Sequence, residues 1–344
     1  MTDQLLSEVR GNAGIITLNR EKAINALTHE MVLEMTKVLD GWHDDPAVKL
    51  VIVRGAGERG LCAGGDVAAL YDDALADGTA GAEFWADEYG LNLMISDYPK
   101  PYVAIMNGLV LGGGVGISAH GSHRIVTDST KLGMPEVGIG FAPDVGGSWL
   151  LAHAPDNLGF HYGLTGAHEG GAQAIEAGLA DYFVPDELIE TLVADLCASG
   201  VVGDIEKHAV QPARGFGPDR VEMARVYDAE SVEEILANLD ASQAEWASDA
   251  AKRIRRNCPL ALKVTFASIS GAREKTLAEA LQQEFRISCN MQRGTEFVEG
   301  VRAQLIDKDR NPQWNPSSLG EVEPEEMARM LGPVDDPRVE DIEL

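Results

Sequence analysis

Glu136 and Asp144 stand eight positions apart in the segment from Met134 to Gly147, which carries no other charge. Uncharged surroundings imply burial, and burial raises the pKa of a carboxyl group unless a partner holds its charge. Such a group is suited to work as acid, base or nucleophile. The plainer reading is a loop whose Asp144 caps a helix beginning after Val145-Gly146-Gly147. Two glycine clusters add a second chemical element. Gly64-Gly65-Asp66 and Gly112-Gly113-Gly114 each follow an apolar strand pattern and precede a helical one. Glycine lets a backbone N–H come close to a ligand, and two N–H groups converging on one oxygen form an oxyanion hole. Tight packing at a strand exit explains either cluster alone; both together, beside a carboxylate loop, favour chemistry.

A third candidate is weaker. Gly55, Gly57 and Gly60 match the dinucleotide-binding spacing directly after a strand, but that fingerprint needs its last glycine in an opening helix. Gly64-Gly65 would break such a helix, so a flexible strand exit is the better account. His120 and His123 lie in an apolar stretch and read as packed side chains. Cys62 has no basic neighbour in sequence and reads the same way. No histidine or cysteine spacing signals a metal site.

The elements that must position these residues alternate between strand and helix. Val9 to Leu18 reads as a hairpin around Gly11-Asn12-Ala13-Gly14. Thr28 can cap a helix over His29 to Trp42, where Met31, Met35, Val38 and Leu39 recur at helical spacing. Strands are predicted at 50–53, 102–106 and 124–127, and helices after Asp66, after Gly114, after Asp144 and over 168–177. This is the pattern of an α/β domain. Residues 201–225 read as a linker-like excursion, 231–300 as helical, and the acidic tail 335–344 as mobile.

Bulk properties narrow the partners. The chain has 344 residues, 45% of them hydrophobic, and a formal net charge of −27, which disfavours nucleic acid and anionic membranes. An anionic ligand needs a local basic patch against that background. Asp3, Glu8 and Arg10 interrupt the start, so no signal-peptide core is expected there. The uncharged run 101–121 contains Asn107 and repeated glycines, and reads as a strand-to-helix connection rather than a membrane span. Four scattered cysteines fit a reducing compartment, with the cytoplasm as the expectation.

With these elements together, the chain resembles the crotonase (enoyl-CoA hydratase/isomerase) superfamily. The resemblance rests on Leu18 to Leu27, Cys62 to Asp66, Asn107-Gly108 with Gly112 to Gly114, and Pro135 to Gly147. It is closest to the superfamily's hydrolase branch, through Glu88 to Asn92, Gly116 to Gly121, Phe141 to Asp144, and Glu299 to Ala303 with Leu305 to Asp309. It covers roughly residues 5–195 and 253–315, and 201–250 match nothing familiar. The resemblance implies an α/β crotonase-like spiral of ββα units with a helical C-terminal region. The division expected is 1–200 as the core holding the CoA and catalytic site, 201–250 as a variable excursion, and 251–344 as the helical C-terminal region and acidic tail.

It also implies roles. The N–H groups of Gly65 and Gly113 hold the thioester oxygen, and Glu136 matches a hydratase catalytic glutamate. Hydratases carry a second glutamate two residues past the glycine triplet, where this chain has Gly116. Asp144 replaces a hydratase glycine, as in the hydrolase branch. Glu88 matches a substrate-contacting glutamate, with an exposed helix residue as the alternative. Gly64, Asp66, Lys22 and Ala23 lie where relatives hold substrate, the last two at its adenine and ribose-phosphate end; a solvated surface lysine is the plainer reading of Lys22. The implied activity is hydrolysis of a short 3-hydroxyacyl-CoA thioester, 3-hydroxyisobutyryl-CoA foremost, in valine breakdown. No cofactor is implied, since coenzyme A is part of the substrate. The implied assembly is a homo-oligomer, a trimer or a multiple of one. The rival readings are an enoyl-CoA hydratase or isomerase, and a non-catalytic scaffold that binds acyl-CoA or RNA. Gly116 opposes the first, while the negative charge and the retained carboxylates oppose the second.

Overall fold

The computed structural model describes residues 3–344. Its strands are β1 (Leu5–Arg10), β2 (Ala13–Leu18), β3 (Leu50–Gly55), β4 (Tyr102–Met106), β5 (Leu109–Leu111), β6 (His123–Val126), β7 (Lys131–Gly133) and β8 (Tyr182–Phe183). Its helices are α1 (His29–His43), α2 (Val67–Leu75), α3 (Ala80–Ser96), α4 (Gly113–Ala119), α5 (Gly147–Ala152), α6 (Leu158–Thr165), α7 (Gly171–Glu176) and α8 (Ile189–Ser199). A helical series follows: α9 (Asp219–Val226), α10 (Val232–Ala241), α11 (Glu245–Arg256), α12 (Pro259–Ala272), α13 (Leu277–Gln292), α14 (Thr295–Val301) and α15 (Pro324–Leu331). The order β1-β2-α1, β4-β5-α4 and β6-β7-α5 is a run of ββα units ahead of that helical region.

The chain forms two compact units. The first comprises the described residues up to Gly65 with Gly90–Leu132 and Glu169–Gly217. Its six-stranded sheet has the order β1-β2-β3-β4-β6-β8. Every pairing is parallel except β1 with β2. The core of this unit sets Ile15, Ile52, Val103, Ile105 and Ile125 against Leu192, Val193 and Leu196 of α8. Parallel strands covered by helices are apolar throughout rather than alternating, which is why 50–53 and 102–106 read so clearly. The second unit comprises Asp66–Tyr89, Gly133–His168 and Pro218–Leu344, and is almost wholly helical.

Several expectations change in detail. The hairpin turn is two residues, with Arg10 opposite Ala13, so Ala13 and Gly14 belong to the strand. Residues 201–225 are more ordered than a linker, because they contain a 3-10 turn at Val202–Lys207 and the start of α9. The tail is docked, not mobile. Asp336 is buried and pairs with Arg293 and Arg338, while Arg286 pairs with Asp341. An acidic tail on an acidic chain found these arginines, a match that composition does not disclose. Asp144 does not cap α5, whose N-cap is Gly146 with no side-chain cap.

Local caps agree with the sequence. Thr28 Oγ1 accepts the N–H of Met31 at the start of α1. Thr276 and Glu279 form a reciprocal capping box at α13, the helix that supports the site described below. Thr276→Ala is expected to cost about 1 kcal/mol, read as a lower unfolding midpoint, and an unchanged midpoint would remove the box from the stability of α13.

Candidate active site

In the first unit, the exits of β3 and β4 run side by side. Leu61 N–H donates to Asn107 O, Cys62 N–H to Leu109 O and Leu111 N–H to Cys62 O. This ladder delivers Gly64 and Gly113 to the same place: a Cβ built on Gly64 would sit 3.9 Å from Gly113 N. Gly64 has φ +106 and Gly112 φ +48, left-handed values that favour glycine at both approaches. Among the described residues, neither the Gly65 N–H nor the Gly113 N–H has a backbone acceptor in the turns and loops. Asn25 fixes the neighbouring turn, its side-chain amide donating to Ala56 O and Gly60 O and its Oδ1 accepting from Arg20 N–H. That turn carries Lys22 and Ala23, both exposed. Gly55, Gly57 and Gly60 lead into no helix before Val67, so the dinucleotide match is a strand exit.

In the second unit, Glu136 opens a 3-10 turn (Glu136–Ile139) and is 7% exposed. The turn ends at Gly140, whose φ of +70 and close approach to Glu296 O leave no room for a side chain. Phe141 then stacks on Trp85 and packs against Phe297, anchoring the chain ahead of Asp144. Asp144 is 7% exposed, and its Oδ2 accepts the Tyr89 hydroxyl at 2.8 Å. Tyr89 O lies 2.8 Å from Ser288 Oγ on α13. One turn earlier on α13, Glu284 accepts the N–H of Gly146 at 2.6 Å, the N–H of Ser148 at 2.8 Å and the Ser148 hydroxyl. Glu88 is 1% exposed, which rejects the exposed-helix alternative for it.

Among the buried carboxyl groups of the second unit, Glu88, Glu136, Asp144 and Glu284 act on one another electrostatically. Burial raises Glu136 well above its ordinary range, and the charge of Asp144 raises it further. Glu88 is raised by the same two causes. Burial lifts Asp144 to about 7, against the opposing hydrogen bond from Tyr89. Burial lifts Glu284 to about 8, although its three donors oppose this. Glu88 Oε1 and Glu136 Oε2 have no hydrogen-bond partner among the described residues. Buried acceptors are ordinarily satisfied, so these two oxygens await donors from a bound molecule or water.

Helix α4 carries no carboxylate at all; its residues are Gly, Val, Ile, Ser and Ala, with Gly116 at its centre. The chain from residue 13 to 331 matches the family model described as enoyl-CoA hydratase/isomerase. The chain belongs to that family. Among curated relatives, the 3-hydroxyisobutyryl-CoA hydrolase of Danio rerio, named mitochondrial, is 40% identical over 93% of this chain and 87% of its own length. A solved structure described as a carnitinyl-CoA dehydratase from Mycobacterium thermoresistibile is 47% identical, covers 97% of this chain and 98% of its own, and superposes with a TM-score of 0.94. Another, described as an enoyl-CoA hydratase from Rhodobacter sphaeroides, is 41% identical over 96% of this chain and 98% of its own, with a TM-score of 0.90.

The family's crotonase fold and its glycine and carboxylate motifs were legible in sequence. Tyr89, Ser288 and Glu284 were not singled out there. A signal existed for two of them: on the α13 face where Leu277, Ala280 and Leu281 are buried, Glu284 and Ser288 follow at helical spacing. A charge in register with an apolar stripe marks a buried carboxylate. His120 is buried and His123 stacks on Tyr182, as packed histidines do. Cys62 is buried.

Proposed function

We propose that this family member hydrolyses a short 3-hydroxyacyl-CoA thioester, 3-hydroxyisobutyryl-CoA foremost, to the free hydroxy acid and coenzyme A. The observation that carries the reading is a buried Glu136–Asp144 pair together with Gly116 where a hydratase needs its second carboxylate. Hydration of an enoyl thioester needs carboxylates to deliver water and a proton across Cα and Cβ. Hydrolysis needs attack on the carbonyl carbon alone. The names of curated relatives across nearly the whole chain support hydrolysis.

In this reading the N–H groups of Gly65 and Gly113 take the thioester oxygen, and the charge that develops there is stabilised by about 3–4 kcal/mol per donor. Glu136 acts on the carbonyl carbon in one of two ways. It attacks directly, forming an acyl anhydride and releasing CoA thiolate, after which water cleaves the anhydride; or it takes a proton from the attacking water. Asp144 orients that water or the 3-hydroxyl, and Glu88 with Gly64 and Asp66 lines the acyl end. Lys22 and Ala23 meet the nucleotide end of CoA. Like charges resist ionising together in one buried cluster, so a proton held on Glu88 relieves the repulsion felt by Glu136 and Asp144. Thiolate is a good leaving group and no electrons change hands, so the reaction requires neither metal nor redox cofactor.

A hydratase is the second reading, favoured by the descriptions of the two solved structures. Free-thiol release from 3-hydroxyisobutyryl-CoA, measured beside hydration of crotonyl-CoA, separates the two; hydration without thiol release would sink the hydrolase. The reading extends to a homo-oligomer, a trimer or multiple of it, which light scattering would test. Among the described residues no helix is long and apolar enough to cross a membrane. A cytoplasmic setting rests on the four buried thiols alone, since several curated relatives are named mitochondrial.

A further inference from the structure

We propose that Tyr89 is a positioning residue for Asp144, set in turn by Ser288, so that helix α13 dictates the orientation and charge of the carboxylate in the loop. The geometry is directional. Tyr89 has one hydroxyl proton, and it is donated to Asp144 Oδ2 at 2.8 Å. Ser288, 2.8 Å away, must then donate its own proton to the Tyr89 oxygen. The result is a chain of donors from Ser288 through Tyr89 to Asp144, each bond polarising the next. Tyr89 and Ser288 are both buried, so no water can replace either donor without rearrangement.

The same helix fixes the backbone that carries Asp144. Val145 and Gly146 both hold left-handed φ values, +56 and +77, and Val145 is β-branched, so this turn is strained on its own. Glu284 holds it by accepting from Gly146 and Ser148 on the far side of the turn. Backbone and side chain of Asp144 are therefore both referred to α13, one turn apart, by Glu284 and Ser288. The charged groups that face Asp144 are Glu88 beside Tyr89 on α3, Glu136 from the preceding turn and Glu284 from α13. All are acidic. Burial opposes ionisation of Asp144, and Tyr89 is the neutral donor whose hydrogen bond favours it.

The test is Tyr89→Phe, which keeps the ring and deletes the donor, with Ser288→Ala as a milder second variant and Ser288→Thr as the rescue. The inference rests on the hydrolase reading for its kinetic arm only. In thiol release from 3-hydroxyisobutyryl-CoA, Tyr89→Phe is expected to lower kcat about tenfold or more with KM changed less, and to move the acid limb upward by about one pH unit, since a hydrogen bond to the ionised form is lost. Ser288→Ala should move the limb the same way by less, and Ser288→Thr should restore it. The second arm needs no substrate: 13C NMR of the Asp144 carboxyl in the full chain, assigned with Asp144→Asn, should titrate higher in Tyr89→Phe. An unmoved carboxyl titration overturns the inference, whatever the reaction. Wild-type protein that releases no thiol, with the titration shifted as expected, refutes the hydrolase and leaves the positioning role standing.

Discussion

Glu136→Gln is expected to lower kcat for thiol release by about 10²–10⁴-fold, the range that a positioned acid–base or nucleophilic side chain supplies. KM should change little, because glutamine fills the same volume and leaves the proposed Gly65 and Gly113 donors untouched. The reason for a loss this large lies in the carboxylate's environment. Glu136 Oε2 is buried with no hydrogen-bond partner among the described residues, so no protein donor blunts its reactivity. Burial, and then the Asp144 charge, raise its pKa, which makes the ionised carboxylate a stronger base. Glutamine can neither attack nor accept the proton. Equal kcat in the variant would exclude Glu136 from both routes.

Asp144→Asn is expected to do two opposite things: to cut thiol release by orders of magnitude and to make the protein more stable above neutral pH. The folded-state pKa of Asp144, about 7, lies above its ordinary 3.8. The folded chain therefore binds a proton more tightly than the unfolded chain does, and stability falls as pH rises between those values. The penalty is absent below about pH 4, grows through the window and is complete above about pH 7. Asparagine removes it while retaining an oxygen that can accept the Tyr89 hydroxyl. Denaturant unfolding at pH 8 should show the variant more stable by on the order of a few kcal/mol, and the difference should vanish toward pH 4. A variant less stable at pH 8, or a difference independent of pH, would show that Asp144 is not held against its charge. Glu136→Gln should stabilise in the same direction, because the same burial raises Glu136. Opposite effects on activity and stability mark carboxylates kept for chemistry rather than for the fold.

Features that depend on neighbours in the chain are legible from the residues alone. Apolar runs gave β3 and β4 because covered parallel strands are apolar on both faces. Thr28 marked the start of α1, since a cap needs only the next turn. Glycine at 64, 65, 112 and 113 signalled backbone that must approach something closely, and the eight-residue spacing of Glu136 and Asp144 in an uncharged loop signalled burial. The register that brings Gly64 beside Gly113, however, is a ladder between two strand exits, and only pairing sets it. Asp144 looked like a helix cap because its nearest sequence neighbours are Val145-Gly146-Gly147. Its real partner, Tyr89, lies 55 residues away, and the Glu284 that fixes its loop lies 138 residues from Gly146. The docked tail is the same kind of case, with Asp336 buried against Arg293, 43 positions away. Hydrogen-bond partners and dielectric surroundings are properties of space, not of chain order. The sequence therefore named the two carboxylates, and the tertiary structure decided what each is held by and how strongly its charge is resisted.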